Sequence, residues 1–400
     1  AVESEDGWVR AYAANALGDL GDPSAVVALA RQATILGDPL RDRDQWEFPG
    51  ATNTAVPESE WQSIPYYAID TQALDALLRL GVRGALGRLI HVQLDPRKKN
   101  YRIRVLQDAT DAIRRSAPDA PVDAYNVDEG LPQREAAFEV LARWWHAHRQ
   151  DAKVLKAELD PQDAGFHRAA LGLADVLSGE SGVREMMMAN AAIDLLGPLM
   201  TRALVERARA PKSPFQKAEV AQALGRVRDP AAIEPLIEVV RDRTPFVRAK
   251  AAVGLGPYAR DHEGVRKVLL QLIRSKNAAV RVAALQSLVN APRDPVVKAA
   301  VLAWLAADEK RVESKIPSWR TPDVEPALAV LRFVQEGEPA WPALEAGLNH
   351  PQRVARRTWW DLLRAALDVP EYLHDPVAEP DDAEARHFTK QMALDALEAR

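Results

Sequence analysis

Between Gln216 and Ala307 one passage is written nearly three times, and this recurrence restricts the possible folds more than any other feature of the chain. Val247 and Val280 each open the pattern Val-Arg-x-x-Ala, with Leu255 and Leu288 eight residues further on, so the two passages superpose at a period of 33. Gln216-Lys217, followed by Leu224, fits the same template one repeat earlier. Asp229-Pro230 and Asp294-Pro295 each end one helix and begin the next with Pro at its first position, where the missing amide proton costs nothing. Paired helices at this period, with no strand signal, predict an all-α fold. We expect a right-handed α-solenoid in which each hairpin buries its apolar side only against its neighbours.

The passage recurs far upstream. VRAYAANALGDLGDPSAVVALA, from Val9 to Ala30, aligns without a gap on QKAEVAQALGRVRDPAAIEPLI, from Gln216 to Ile237. Both keep an Ala-Leu-Gly core, an Asp-Pro turn and an aliphatic second helix. This resembles the HEAT-repeat family, in particular its Ala-rich bacterial subclass that includes the bilin-lyase-like repeats. The resemblance implies that the second helix of each hairpin lines a concave face. It also implies that arginines at the Val-Arg position (Arg10, Arg248, Arg281) form ladders with the turn aspartates Asp22, Asp229 and Asp294. An architecture is not a function, so the surface residues have to carry that argument.

Composition fits such a stack. Hydrophobic residues make up 47% but aromatic ones only 6%, as closely packed Ala- and Leu-rich helices require, and 27% charge is the level of an ordered chain. The most apolar stretch, Met186 to Met200, is interrupted by Asn190, Asp194 and Pro198, so it predicts a buried helix and no membrane span. Cysteine is absent, which removes disulfides, thiolate metal sites and Cys nucleophiles together. Residue 1 is Ala, and the preference for Arg over Lys with a heavy Ala load suggests a bacterial genome rich in G and C. Two compartments are open: the cell envelope after removal of a signal, or the cytoplasm.

Taken in order, the first helix runs from Trp8 to Leu20 with Val9, Ala13, Ala16 and Leu17 as its core stripe, and Ser24 to Leu36 follows. The rhythm then breaks from Gly37 to Pro65, where Pro39, Pro49, Gly50, Pro57 and Pro65 interleave with Trp46, Phe48 and Trp61. Three large rings do not float in water at no cost, so this loop is expected to fold back over the first repeats, anchored by Trp61, Tyr66 and Tyr67, or to act as a partner-binding arm. Helices are predicted over Ala68 to Leu80, Val82 to Leu94 and Asn100 to Ser116, then a Pro-rich link to Pro132 and a helix ending in Trp144-Trp145-His146. AYNVDEGLPQREAAFEVLARWW resembles a Tyr-rich turn and Trp-ended helix of bacterial HEAT proteins, which implies a seam near 150. The expected divisions are 1–150, 151–320 and 321–400. Single helices are expected over Ala164 to Leu177 and Val183 to Ala210, and a C-terminal cap over Val324 to Glu336, Trp341 to Leu348 and Gln352 to Leu367, with Trp359-Trp360 closing the core. An acidic connector from Asp375 to Glu384 then leads to a last helix, Ala385 to Ala399.

Catalytic signatures are missing: no HExxH, GxSxG, paired CxxC or Gly-rich phosphate loop occurs, and no catalytic residue, metal ligand or cofactor is assigned. His146 and His148 are two apart and point to different sides of a helix. Gly18 and Gly21 read as helix punctuation. Charge is more informative. Residues 201–320 hold 23 Lys and Arg against 12 Asp and Glu, an excess of 11, and the rest of the chain carries −16 to reach the total of −5. Arg241 and Arg243 lie between two helices of one repeat, Arg274 and Lys276 occupy the same turn one period later, and Lys310 with Arg311 continues the series. Stacked turns would form a basic ridge able to steer an acidic protein, an anionic lipid surface or a nucleic-acid backbone.

Counted from each Val-Arg start, the positions that turn away from the core are Tyr12, Asn15, Glu219, Gln222, Lys250, Val253, Ala283 and Gln286, a flat and mostly polar set suited to another protein's helix or strand. The leading expectation is therefore a noncatalytic scaffold binding a protein along this face, along the ridge and with Trp46 and Trp61. A nucleic-acid-binding protein similar to the HEAT-like DNA glycosylases and a bilin-lyase-like enzyme are the alternatives.

Overall fold

The computed structural model describes residues 7–35, 66–96, 103–291, 294–300, 325–349, 353–367 and 383–398, apart from 150, 152–153, 157 and 298. Every regular element among the described residues is helical, and the chain divides into two compact units, 1–207 and 208–400.

In the second unit, α10 (Pro214–Arg226), α12 (Pro245–Leu255) and α14 (Ala278–Leu288) stack side by side, while α11 (Ile233–Val239) and α13 (Glu263–Leu272) form the other layer. Local chemistry sets their ends. Ser213 accepts a hydrogen bond from the Gln216 amide at 3.1 Å, Gln216 accepts one from the Lys212 amide at 2.7 Å, and Pro214 opens the helix. Asn277 caps α14 by accepting from the Val280 amide at 3.3 Å. The core is a strip of small and branched residues, Ala221, Leu224, Leu236, Val247, Leu255 and Leu288, all wholly buried. Each such Leu contributes about 1.5–3 kcal/mol relative to exposure. Two side chains stitch adjacent helices through backbone carbonyls: Tyr258 Oη donates to Leu224 O at 2.9 Å and Ser287 Oγ to Ala252 O at 2.8 Å.

Glycine makes this stacking close. A Cβ on Gly225 would lie 2.4 Å from the Gly254 Cα, and one on Gly254 2.4 Å from the Ala221 carbonyl oxygen. The third residue of the Ala-Leu-Gly core is thus a crossing point between helices. Gly18 has the same role, since its Cβ would meet Ala76 Cα at 2.9 Å, so the punctuation expected of it applies only to Gly21, in the turn at φ +68°.

In the first unit, α1 (Gly7–Leu20), α3 (Tyr66–Arg79) and α5 (Ile103–Ser116) form the equivalent layer. Behind them lie α2 (Val26–Ile35), α4 (Arg83–Arg88, continued by a π turn over Leu89–Gln93), α7 (Ala164–Val176) and α8 (Val183–Leu196). The buried face of α1 is Ala11, Ala14 and Gly18, turned to α3, whereas Val9 and Ala16 are exposed and Leu17 is half-buried. The stripe expected there was displaced because the side a helix buries is decided by the neighbour it crosses. The single helix expected over Val183 to Ala210 is broken: Gly197 adopts φ +55° ahead of Pro198, and a 3-10 turn separates α8 from α9 (Thr201–Arg209). Near residue 150 the chain stays tied to its unit, for Lys156 N donates to Ser116 O at 3.0 Å and Leu159 N to Gly81 O at 3.2 Å. The boundary expected at 150 lies inside the first unit, and α6 (Leu131–His148) sets Trp145 against Gly87.

The C-terminal helices α15 (Glu325–Glu336), α16 (Trp341–Leu348), α17 (Arg353–Leu367) and α18 (Ala383–Glu398) enclose Trp359 and Trp360, both buried. Trp359 lies where a Cβ on Gly347 would be, and Trp341 meets Phe333 edge-on at 5.6 Å. The loop 37–65 with Trp46, Phe48 and Trp61, and Lys310 with Arg311, lie outside the described residues.

Candidate functional site

The stacked layer of the first unit carries a polar network. Asn15 Nδ2 donates to Gln72 Oε1 at 3.1 Å, and Arg79 donates to Asn15 Oδ1 at 3.2 Å while pairing with Asp19 and, at 3.4 Å, with Asp75. Arg115 reaches Asp75 at 3.0 Å, and Arg114 holds Asp111 at 2.6 Å and Asp123 at 2.8 Å. A notch of about 210 Å³ is lined by Asn15, Gln72, Asp75, Asp108 and Arg115, and an open hollow of about 630 Å³ adjoins it through Asp108 and Asp111. Tyr125 lines that hollow, nearly buried, and its phenol is pushed up to about 12 by desolvation, with Arg134 and Asp95 as lesser influences. Tyr12 stands beside this network, 70% exposed.

The corresponding face of the second unit is neutralised across neighbouring helices. Lys250 Nζ donates to Gln222 Oε1 at 2.6 Å, pairs with Glu219 at 3.1 Å and sits 5.8 Å above the Phe246 ring. Gln286 and Val253 are half-buried. Ala283 is buried and not on the surface as expected, because α14 encloses Arg281, Ala283, Ala284 and Leu285 together and a single methyl does not reach past its neighbours. Lys250 and Gln222 therefore complete a lateral bridge before any partner arrives.

The ridge is different. Arg241, Arg243, Arg274 and Lys276 are all exposed, and none forms an ion pair among the described residues. Their turns are nonetheless fixed. Asp242 accepts from the Thr244 amide at 2.8 Å and from Lys217 Nζ at 2.6 Å; burial raises its pKa, but the Lys217 ammonium and the Thr244 bonds outweigh that and hold the carboxyl below its usual range. In the next turn Arg281 donates to the carbonyls of Ser275 at 2.7 Å and Lys276 at 3.0 Å. The turn aspartates act mainly as caps: Asp22 accepts from Ser24 N, Asp229 from Ala231 N, and Asp294 from Val296 N, each at 2.9 Å. Asp294 also pairs with Arg266 at 2.8 Å.

One feature of this edge went unread in the sequence. Phe215 and Phe246, the second residues of α10 and α12, are 40% and 44% exposed and stack on each other, centroids 6.3 Å apart and planes inclined by 13°. The signal was available: Pro214-Phe215 recurs as Pro245-Phe246 one repeat later, each Phe three positions after a cation, Lys212 or Arg243. His148 is occupied locally, its Nδ1 2.7 Å from Trp144 O and its ring stacked on Trp144 at 5.2 Å. Among the described residues no cluster of His, Asp and Glu could hold a metal ion, and no helix is long and apolar enough to cross a membrane.

Comparison with known families matches residues 201–288 to HEAT repeats and residues 9–31 to the PBS lyase HEAT-like repeat. No curated protein matches. Among solved structures, human deoxyhypusine hydroxylase in complex with glycerol is similar at 18% identity over 73% of this chain and 82% of its own. An engineered protein is similar at 14% identity over 91% of this chain and 97% of its own. At a TM-score of 0.27 in both cases, neither superposition bears on activity.

Proposed function

Because the chain is a HEAT-repeat protein, we propose that it is a noncatalytic scaffold that binds a protein partner, with the ridge of Arg241, Arg243, Arg274 and Lys276 as the principal contact and the helix faces of the two units, each by itself, as secondary ones, Tyr12 and Asn15 marking the first and Gln286 the second. The observation that supports this is the contrast between the two surfaces: the helix faces satisfy most of their own charges, whereas four cations project from rigid, equivalent turns into solvent. Fixed charges of one sign raise the encounter rate with a partner of the other and lose that effect as salt rises. The test is affinity purification of the full chain from its host, with all four cations changed to Glu in the variant. A stoichiometric protein recovered with the wild type and lost with the variant is expected. Turnover of a small substrate by the purified chain, with no protein recovered, would sink the reading.

The same ridge supports a second reading, a nucleic-acid backbone, since an exposed aromatic pair beside arginines is also how single strands are held. Retardation of an oligonucleotide at low salt, abolished by the fourfold reversal, would favour it.

A further inference from the structure

We propose that the edge formed by the N-terminal ends of α10, α12 and α14 binds a linear, extended acidic peptide segment with apolar side chains among its carboxylates. This rests on the scaffold reading and names the chemistry of its partner. Three observations converge. The stacked rings of Phe215 and Phe246 leave a paired apolar surface in water at the start of two successive helices, where scattered single hydrophobes would be unremarked. The turn carrying Arg241 and Arg243 is fastened to α10 by the Lys217–Asp242 bridge, so these cations border the aromatic pair. The turn carrying Arg274 and Lys276 repeats the arrangement one helix further along, with Lys276 three positions ahead of Ala279 as Arg243 is ahead of Phe246.

Spacing selects the occupant. Neighbouring packed helices lie about 8–10 Å apart, and a peptide extended in the polyproline II form rises about 3.1 Å per residue with three residues per turn, so that every third side chain returns to the same side. Every third residue of such a segment would therefore meet the next pair of cations, leaving the residues between to cover the phenyl rings. A nucleic acid fits less well. Its charges are continuous along the strand, and the whole chain is itself negative at −5, which opposes a long polyanion but scarcely affects a short segment held within the Debye length of about 8 Å.

The experiment is fluorescence anisotropy with the full chain and a labelled synthetic peptide of Glu-Glu-Leu repeats. A Lys-Lys-Leu peptide serves as control and oligothymidylate as competitor. The variants are F215S/F246S and R243E/K276E, with helical circular dichroism confirming the fold of each. We expect the acidic peptide to bind, the lysine peptide not to, F215S/F246S to weaken binding about tenfold and R243E/K276E to weaken it more than that. Equal binding of both peptides, or acidic-peptide binding unchanged in R243E/K276E, would overturn the proposal. Displacement by oligothymidylate at lower concentration than by unlabelled acidic peptide would overturn it in favour of nucleic acid. A host protein that co-purifies equally with wild type and both edge variants would overturn it too, while leaving a scaffold that binds protein through its helix faces.

Discussion

Asp242 shows how much one side chain can fix at this surface. Its carboxylate closes the turn on the Thr244 amide and ties that turn to Lys217 on the neighbouring helix. Its pKa is held below the usual carboxylate range, so its stabilisation is complete above the unfolded value near pH 4 and is lost as pH falls through the lower folded value. Asp242→Asn should cost about 1–2 kcal/mol at pH 7, and the gap between the urea curves of wild type and variant should close below about pH 4. A gap that stays constant down to pH 3 would mean the bridge contributes nothing. The four ridge cations could be picked out from sequence, since turn positions off the Val-Arg template have no built-in partner. The fate of Lys250 could not, because its partners Glu219 and Gln222 belong to the preceding repeat and only packing decides which side chains meet. Phe215 and Phe246 are illegible as surface residues in the sequence for the opposite reason. A Phe beside a helix-starting Pro reads as core, and only the stacked geometry shows both rings at the surface.

At the scale of the helix, the crossings through glycine dominate. Gly254→Ala would press a methyl against the Ala221 carbonyl, backbone that cannot swing aside, so α10 and α12 must separate. We expect a loss of about 1–3 kcal/mol, as for other overpacked cores. Gly264→Ala, on an open stretch of α13 where a Cβ meets nothing within 4 Å, should be neutral or slightly stabilising. Equal midpoints for the two variants in urea would remove the crossing from the account. Helix limits were legible wherever Asp-Pro, Ser-Pro or Asn punctuates the chain, since those residues cap by local bonds that need no tertiary context. The break at Gly197-Pro198 carries an equally local signal, but helical content on both sides of it predicts one helix from Val183 to Ala210.

For the molecule as a whole, repeats that touch only their neighbours confine damage. Hydrogen exchange in Gly254→Ala should rise most in α10, α12 and α14, and amides of α1 and α2 should keep their protection. A uniform rise along the chain would contradict that locality. The all-α repeat class was legible because a period survives drift at many single positions. The division at 207 was not, since it depends on which helices gather into each unit, and the Trp-ended helix α6 that suggested a seam at 150 packs within the first unit instead. The glycine crossings have one more consequence. By setting how closely α10 and α12 approach, they also set the spacing of the phenyl rings that these two helices carry beside Arg243, so the backbone contact is the graduation of a ruler whose marks are side chains. Widening that interval with a single methyl would change which ligand periodicity the edge can measure, and selectivity would shift without any alteration of the residues that touch the ligand.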